Sequence, residues 1–298
     1  MELKSLSTFI EIAKGKPKKT IAVAAAEDLP VLQAVDNAQK EGIVDAILIG
    51  NEKKIREIAK DNDINLDNYE IINEKNSALS AKTAVKLIRE NKAHIVMKGL
   101  VGTADYLRAI LDKENGLRSG SLLSHIGFFE TPYYNKLLAV TDAAQNPAPD
   151  MKDKLAIINN SVDLYHRLGL EKPKIALLAA IEGVNPKMPA TTEAASITMM
   201  NKRNQIKGCL IDGPLALDNA ISEKAAKHKK IVSDVAGDAD MLFAPDIEAG
   251  NILYKSMAFL GGATVAAVIL GAKVPVVLTS RADSDKSKLM SIALAASY

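Results

Sequence analysis

Short apolar runs alternate with amphipathic helical patterns along almost the whole chain. Repetition of strand and helix predicts an α/β protein with mainly parallel sheets covered by helices on both faces. The early strand-like runs are residues 21–25, 46–49, 70–72 and 94–97, and the helical segments between them are residues 29–41, 53–61 and 78–90.

The middle of the chain breaks this alternation. Apolar runs at residues 122–130 and 136–141 are separated by only five residues, which predicts a hairpin or a crossover between domains. A chain of 298 residues favours two domains. The later helices are predicted at residues 152–168, 191–201, 217–227, 247–259 and 282–296, and the later strands at 174–180, 207–211, 241–243, 264–270 and 274–278.

Composition excludes several classes of protein. The formal net charge of +2 gives no field for general nucleic-acid binding. The single cysteine, Cys209, excludes an internal disulfide and a multi-cysteine metal site, and its strand-like surroundings predict a buried, inert thiol. Residues 1–14 are typical of an amphipathic helix, and the longest apolar stretch, residues 261–272, is too short to span a bilayer. We therefore expect a cytoplasmic protein without a membrane partner.

Two loops after predicted strands are typical of anion binding. Lys98 opens the first, which contains Gly99 and Gly102, and Thr103 is predicted to cap the following helix. The second, residues 278–284, carries Arg281, whose planar fork suits two phosphate oxygens. A tight turn with an ordinary helix cap, and a solvated Arg281, are the alternatives.

A third candidate segment is a predicted helix. Asn251 and Lys255 lie four residues apart and share one face of it. Gly250 costs about 1 kcal/mol relative to Ala inside a helix, so close approach of a ligand or of a packed neighbour is expected there. His125 lies in an apolar run and is predicted to be a core histidine, and Asp142 is predicted to form an Asx turn.

Acidic residues near position 238 could hold a divalent metal, although solvated loop carboxylates are the favoured interpretation, so no metal site is predicted. The residues alone thus indicate a two-domain α/β enzyme for an anionic or phosphate-bearing ligand, with no recognisable covalent nucleophile.

The sequence resembles the phosphate acetyl/butyryl transferase family, and most closely its butyryl branch. The segments that carry the resemblance keep their order along the chain and are residues 98–103, 124–127, 140–144, 185–189, 212–220, 245–251 and 280–284. Residues 212–220 resemble the butyryl branch specifically.

The resemblance implies a fold and an assembly. The fold is that of the isocitrate and isopropylmalate dehydrogenases, in which two α/β domains flank a cleft. The first domain is expected to comprise residues 1–131 and 272–298, and the second residues 132–271. The second domain is expected to form a homodimer, and the whole assembly is expected to be a dimer or a multiple of dimers.

The resemblance also implies the reaction, in which an acyl group, here butyryl, moves reversibly between coenzyme A and inorganic phosphate. Butyryl-coenzyme A, phosphate and butyryl phosphate are the expected partners, and no bound cofactor is needed because coenzyme A is a substrate. Its thiolate attacks the acyl phosphate in a ternary complex, so the protein needs no nucleophile of its own.

Site residues follow from the resemblance. Ser280 and Arg281 match the catalytic Ser-Arg pair, and Lys98, Thr103, Asn251, Lys255 and Ser284 are expected to bind substrate. Where the acetyl branch has an Asp proposed as the base, this chain has Ser287, so the base is Asp283 or a residue across the cleft. The alternatives are a phosphate acetyltransferase, a metal- and NAD-dependent β-decarboxylating dehydrogenase, and a non-catalytic binding protein.

Overall fold

The computed structural model describes residues 2–279 and 283–298. The chain divides into two compact units. The terminal unit comprises Ser7–Ser121 and Ala266–Tyr298, and the central unit comprises Met1–Leu6 and Leu122–Val265. These limits fall near, and not at, the boundaries that the resemblance implies at residues 131 and 271.

Within the described residues the helices are α1 (Ser7–Lys14), α2 (Leu29–Lys40), α3 (Glu52–Asp61), α4 (Ser77–Arg89), α5 (Thr103–Ile110), α6 (Met151–Arg167), α7 (Pro189–Lys202), α8 (Leu217–Ile221), α9 (Glu223–His228), α10 (Ile247–Lys255), a π-helical turn (Ser256–Leu260) and α11 (Asp285–Ser297). The strands are β1 (Lys19–Ala24), β2 (Val44–Gly50), β3 (Glu70–Asn73), β4 (Ile95–Lys98), β5 (Ser124–Glu130), β6 (Leu138–Thr141), β7 (Lys174–Leu178), β8 (Leu210–Leu215), β9 (Met241–Phe243), β10 (Thr264–Leu270) and β11 (Val276–Val277).

The terminal unit is built on a mainly parallel sheet. Its strands lie in the order β3-β2-β1-β4-β11-β10, and β10, most of which belongs to this unit, is antiparallel to β11. The central strands are almost wholly buried, as expected where helices cover both faces. Helix α11 is buried along most of its length, and Ser297 Oγ donates to the Phe9 carbonyl of α1 at 2.7 Å.

The central unit is also built on a mainly parallel sheet. Its strands lie in the order β5-β6-β9-β7-β8, and only the pairing of β5 with β6 is antiparallel in the described part of this unit. This pairing confirms the hairpin predicted between residues 122 and 141. Asp150 caps α6, because its carboxylate accepts from the backbone N–H of Asp153 at 2.9 Å.

Several predicted boundaries are wrong for local reasons. The helix predicted at residues 217–227 is two helices, because Ser222 is extended and caps α9 through the N–H of Ala225. Strand β8 begins at Leu210 rather than residue 207, because Gly208 has a left-handed φ of 77°. The helix predicted at residues 1–14 begins only at Ser7.

The helix predicted at residues 247–259 changes its hydrogen bonding after Lys255. The π-helical turn follows, and the Gly261 N–H donates to the Ser256 carbonyl, five residues back, at 2.8 Å. Among the described helices, none has the length and apolar character needed to cross a bilayer.

Candidate active site

Two candidate loops leave the same edge of the terminal sheet. Strands β4 and β11 are parallel neighbours with Met97 opposite Val277, so the loops that follow them begin side by side. Strand β1, the other neighbour of β4, is also parallel and ends at this edge. Ligands of open α/β sheets bind beyond the carboxyl ends of the strands, where neighbouring loops diverge. The terminal sheet therefore brings the loop at residues 98–102 beside residues 278–279, which begin the second loop, at an edge where an anion is expected.

Close backbone contacts hold the first loop. The N–H groups of Gly99 and Leu100 donate to the carbonyls of Ala24 and Ala25, each at 2.8 Å. A Cβ atom at Gly99 would lie 2.1 Å from the Ala25 carbonyl oxygen, so only glycine fits. Lys98 is buried, and its Nζ donates to the Gly99 carbonyl at 3.1 Å. The ammonium group of Lys98 is thus held against the backbone of its own loop.

Thr103 does not cap α5, so that prediction is wrong. Gly102 is the N-cap residue in extended conformation, and Thr103 is the first helical residue, with an exposed side chain. Its hydroxyl is therefore not used as a cap. Tyr106, fully buried on the same helix, donates from its hydroxyl to the Val277 carbonyl at 3.3 Å and so ties α5 to β11.

The second loop leads into α11. Ser280 and Arg281 lie outside the described residues, and the description resumes at Asp283. The helix begins at Asp285, later than predicted, because Ser284 is its N-cap and accepts from the Ser287 N–H at 3.1 Å. Ser284 is exposed at the helix start, whereas Ser287, which stands where the acetyl branch has its base, is buried.

A buried cation close to this loop was not foreseen from the sequence. Lys288 is 2% exposed, and its Nζ donates to the backbone carbonyl of Asp283. Its position in a helix with few polar residues beyond the first turn gave no signal, because charged residues in helices are usually solvated. Lys288 therefore holds the backbone of Asp283, near the end of the second loop, as Lys98 holds the backbone of Gly99 in the first.

The remaining predicted residues, Asn251 and Lys255, lie in the central unit. Both are on α10, whose N-cap Asp246 accepts from the Ala249 N–H at 2.8 Å. Asn251 is half-buried and donates from Nδ2 to the Ala143 carbonyl at 2.9 Å, whereas Lys255 is exposed. The predicted shared helix face is confirmed, but the amide group of Asn251 already holds protein backbone.

Asp142, directly after β6, organises the turn beneath α10. Its buried carboxylate accepts from the backbone N–H groups of Ala144 and Gln145, both at 2.9 Å, which confirms the predicted Asx turn. The second carboxylate oxygen accepts from Asn146 Nδ2 at 2.5 Å and from the backbone N–H of His125 at 3.2 Å. Four donors thus surround one buried carboxylate.

His125 is a core residue, as predicted. It lies in β5 with 5% of its surface exposed, and its ring centroid is 5.4 Å from that of Tyr254 on α10. Burial lowers the pKa of His125, and the nearby negative charge of Asp142 partly opposes this. The imidazole is therefore neutral near neutral pH, where it keeps one nitrogen free to accept a hydrogen bond.

The buried side chain of Lys136 forms ion pairs with two of the acidic residues considered above as metal ligands. Asp238 and Asp240 are not merely solvated loop acids, because the buried ammonium group of Lys136 lies 2.9 Å from Asp238 and 2.7 Å from Asp240.

Burial raises the pKa of the Cys209 thiol to about 11, as expected for an inert cysteine. In the described part of the chain, no group of three or more His, Cys, Asp or Glu residues is arranged to hold a metal ion.

The chain is similar to known proteins over almost its whole length. The family model "Phosphate acetyl/butaryl transferase" matches residues 5–83 and 77–296. Phosphate butyryltransferase from Clostridium acetobutylicum is 48% identical over 294 residues, 99% of this chain and 98% of that protein.

Solved structures agree with the fold. A branched-chain phosphotransacylase from Enterococcus faecalis superposes with a TM-score of 0.82 at 36% identity, covering 93% of this chain and 97% of that one. A 4-hydroxythreonine-4-phosphate dehydrogenase from Klebsiella pneumoniae, 13% identical, has a TM-score of 0.55 over 94% of this chain and 98% of that one, which confirms the predicted dehydrogenase-like fold and nothing further. The chain belongs to the phosphate acetyl/butyryl transferase family.

Proposed function

We propose that this protein transfers a butyryl group between coenzyme A and inorganic phosphate. The observation that carries the proposal is full-length similarity to a phosphate butyryltransferase, at 48% identity. The pair of loops at the carboxyl edge of the terminal sheet supports it, since such an edge suits a phosphate-bearing ligand. Because the family description names both acetyl and butyryl transfer, the cargo is the part that experiment must decide.

The proposed chemistry needs positioning and charge stabilisation more than a protein nucleophile. Arg281 binds the phosphate or the carbonyl oxygen, and Ser280 donates a hydrogen bond in the transition state. Donors aimed at a developing oxyanion contribute about 2.7–4 kcal/mol each in other enzymes. Buried Lys98 and Lys288 support this assignment, because both hold backbone of the two loops and bring positive charge beneath them.

The remaining proposed site residues lie at helix starts and on α10. We assign Thr103 and Ser284 to substrate binding at the starts of α5 and α11, where helix N-termini favour anions. Asn251 and Lys255 stay proposed substrate residues of α10. Asp283, next to the catalytic pair in sequence, stays a proposed catalytic residue. Coenzyme A is a substrate here, so no resident cofactor or metal is proposed.

A homodimer and a cytoplasmic location complete the proposal. Large apolar side chains stand exposed on the central unit around α10 and its π-helical turn, with Ile252 at 67%, Phe259 at 66% and Leu260 at 88% exposure. Beside them is a cavity of about 190 Å³ whose lining includes Leu253 and Met257. A second copy that covers this surface would remove it from water, which stabilises association.

The test is a coenzyme A release assay with acetyl-, propionyl-, butyryl- and isobutyryl-coenzyme A as donors and phosphate as acceptor. We expect release to require phosphate and kcat/KM to be highest for butyryl-coenzyme A. A butyryl value no higher than the acetyl value would assign the enzyme to acetyl transfer. Release that requires a divalent metal or NAD would instead support the decarboxylating dehydrogenase alternative.

A further inference from the structure

The imidazole of His125 has an unused hydrogen-bonding atom. Nδ1 is buried, and it has no hydrogen-bond partner among the described residues. Buried polar atoms are paired in the great majority of cases, so an unpaired one calls for a physical explanation. Leaving it without a partner costs about 1–3 kcal/mol, which a purely structural residue at this position would not need to incur.

The position of His125 points to a ligand. Strand β5 is antiparallel to β6, so its first residues lie where β6 ends, and the His125 carbonyl accepts from Thr141 Oγ1 at 2.7 Å. Strands β6, β9, β7 and β8 are parallel and end at this same edge of the central sheet. It is the edge at which ligands bind in open α/β sheets, and α10 with Asn251 packs over it.

Neighbouring groups leave the imidazole as the available acceptor. The Asp142 carboxylate already accepts four hydrogen bonds from protein donors. Tyr254, the aromatic neighbour of the ring, carries a phenol group, which is a poor proton acceptor. Because burial lowers the pKa of His125, its neutral ring predominates near pH 7 and can take up a proton.

The position at which the acetyl branch has its proposed base offers no such acceptor in this chain. A coenzyme A thiol, with a pKa of about 8.5, must lose its proton to attack the acyl phosphate. The residue in the position of the acetyl-branch base is Ser287, which is buried and whose N–H and carbonyl are both used within α11. A serine hydroxyl at this position is not a base near neutral pH.

We infer that Nδ1 of His125 accepts the thiol proton of coenzyme A, an inference that rests on the proposed function. The S–H bond breaks, the proton moves to Nδ1, and the sulfur electron pair attacks the carbonyl carbon of the acyl phosphate. The carbon–oxygen bond to phosphate then breaks, and the departing phosphate keeps that electron pair and takes the proton from the ring. Because Nδ1 is enclosed, the side chains covering the ring, Tyr254 among them, must shift for the thiol to reach it.

Binding of coenzyme A and of desulfo-coenzyme A, which lacks the sulfur, separates this role from a structural one. In the wild-type protein we expect coenzyme A to bind about fivefold more tightly, the worth of one modest hydrogen bond. His125→Phe keeps an aromatic ring beside Tyr254 but removes the acceptor, so the two ligands should bind equally. Equal weakening of both ligands, with their ratio preserved, would overturn the inference.

Two more variants keep the test decisive if His125→Phe folds poorly. His125→Asn places an amide oxygen near the position of Nδ1 but cannot take up a proton, so the ligand ratio should survive while kcat falls about 100-fold. Phe129→Leu disturbs the packing on Tyr254, 4.9 Å away, without touching the acceptor, and should preserve the ratio. Wild-type kcat in the Asn variant would contradict proton transfer.

Different outcomes would refute the proposed function and the role of His125. Wild-type protein that releases no coenzyme A from any acyl donor in the presence of phosphate would refute the proposed function, and the role of His125 with it. Normal transfer with an unchanged ligand ratio in His125→Phe would refute the role of His125 alone.

Discussion

Gly250 of α10 rests directly on the backbone of Asp142. A Cβ atom at position 250 would lie 2.2 Å from the Asp142 carbonyl oxygen, a distance that real Cβ atoms essentially never show. The next residue, Asn251, donates to the Ala143 carbonyl from the same helix. Helix α10 is therefore fixed on the turn after β6 by a glycine contact and an amide hydrogen bond, and this contact sets the position of Asn251.

Gly250→Ala tests this contact. Helix propensity alone would make alanine about 1 kcal/mol more favourable, but the clash is with backbone that cannot rotate away, so the helix must shift. We expect a lower melting temperature and a higher KM, since Asn251 moves with the helix. The control is Gly183→Ala, also in the central unit, where a Cβ would meet nothing within 4 Å. Equal melting temperatures for the two variants would contradict the contact.

Arg281→Ala tests the assigned oxyanion-binding group. We expect kcat for acyl transfer to fall at least about 100-fold, the range for loss of one transition-state donor. Arg108→Ala is the matched control, because Arg108 is exposed on α5 and pairs with Asp105 on the same helix. An Arg281→Ala enzyme with the wild-type rate in steady-state assays would remove Arg281 from the site.

Lys136→Met tests the buried ion pair of the central unit. Removing the ammonium group leaves the carboxylate of Asp240, only 8% exposed, without its partner, and breaking a buried pair costs about 3–5 kcal/mol. Urea unfolding should show this loss. Lys227→Met on α9, whose pair with Glu223 is 73% exposed on both sides, should cost less than about 1 kcal/mol. Similar losses for both variants would contradict the burial argument.

Sequence patterns were enough to predict the α/β architecture, because the spacing of apolar residues within one helix or strand shows which of its faces is buried. Alternating apolar runs predicted the parallel sheets, and two closely spaced runs predicted the hairpin of β5 and β6. Boundaries failed where one residue decided the conformation. Ser222, extended between α8 and α9, and left-handed Gly208 are single-residue effects that a pattern averaged over ten residues does not resolve.

The candidate site was less accessible to sequence reasoning, because contacts between distant segments make it. Lys98 and Lys288 are 190 residues apart in the numbering, yet each braces a loop at one edge of the same sheet. Lys136, just before β6, pairs with Asp238 and Asp240, just before β9. A charged residue in sequence is usually solvated, so burial of these lysines appears only once the fold is known.

Charged substitutions at the exposed apolar surface of the central unit test the proposed dimer. Phe259→Glu combined with Leu260→Glu should yield a monomer in light scattering after size-exclusion chromatography, because burying unpaired carboxylates at an interface is costly. Val232→Asp, at a fully exposed position of the same unit, should leave the dimer intact. A double variant that still elutes as a dimer would place the interface elsewhere.

The pH dependence of stability gives an independent measure of the burial of His125. The native state has a lowered pKa for this histidine, whereas the unfolded chain has a value near 6.5. Above about pH 6.5 both states hold the neutral ring, so its contribution to stability is complete. As the pH falls below that value, the unfolded chain binds the proton first, and stability is lost until the pH reaches the native pKa. The melting temperature of the wild-type protein should therefore fall more steeply between pH 7.5 and pH 5 than that of His125→Phe, since the other three histidines are common to both proteins. Parallel melting curves in scanning calorimetry would show that the native pKa of His125 is not lowered.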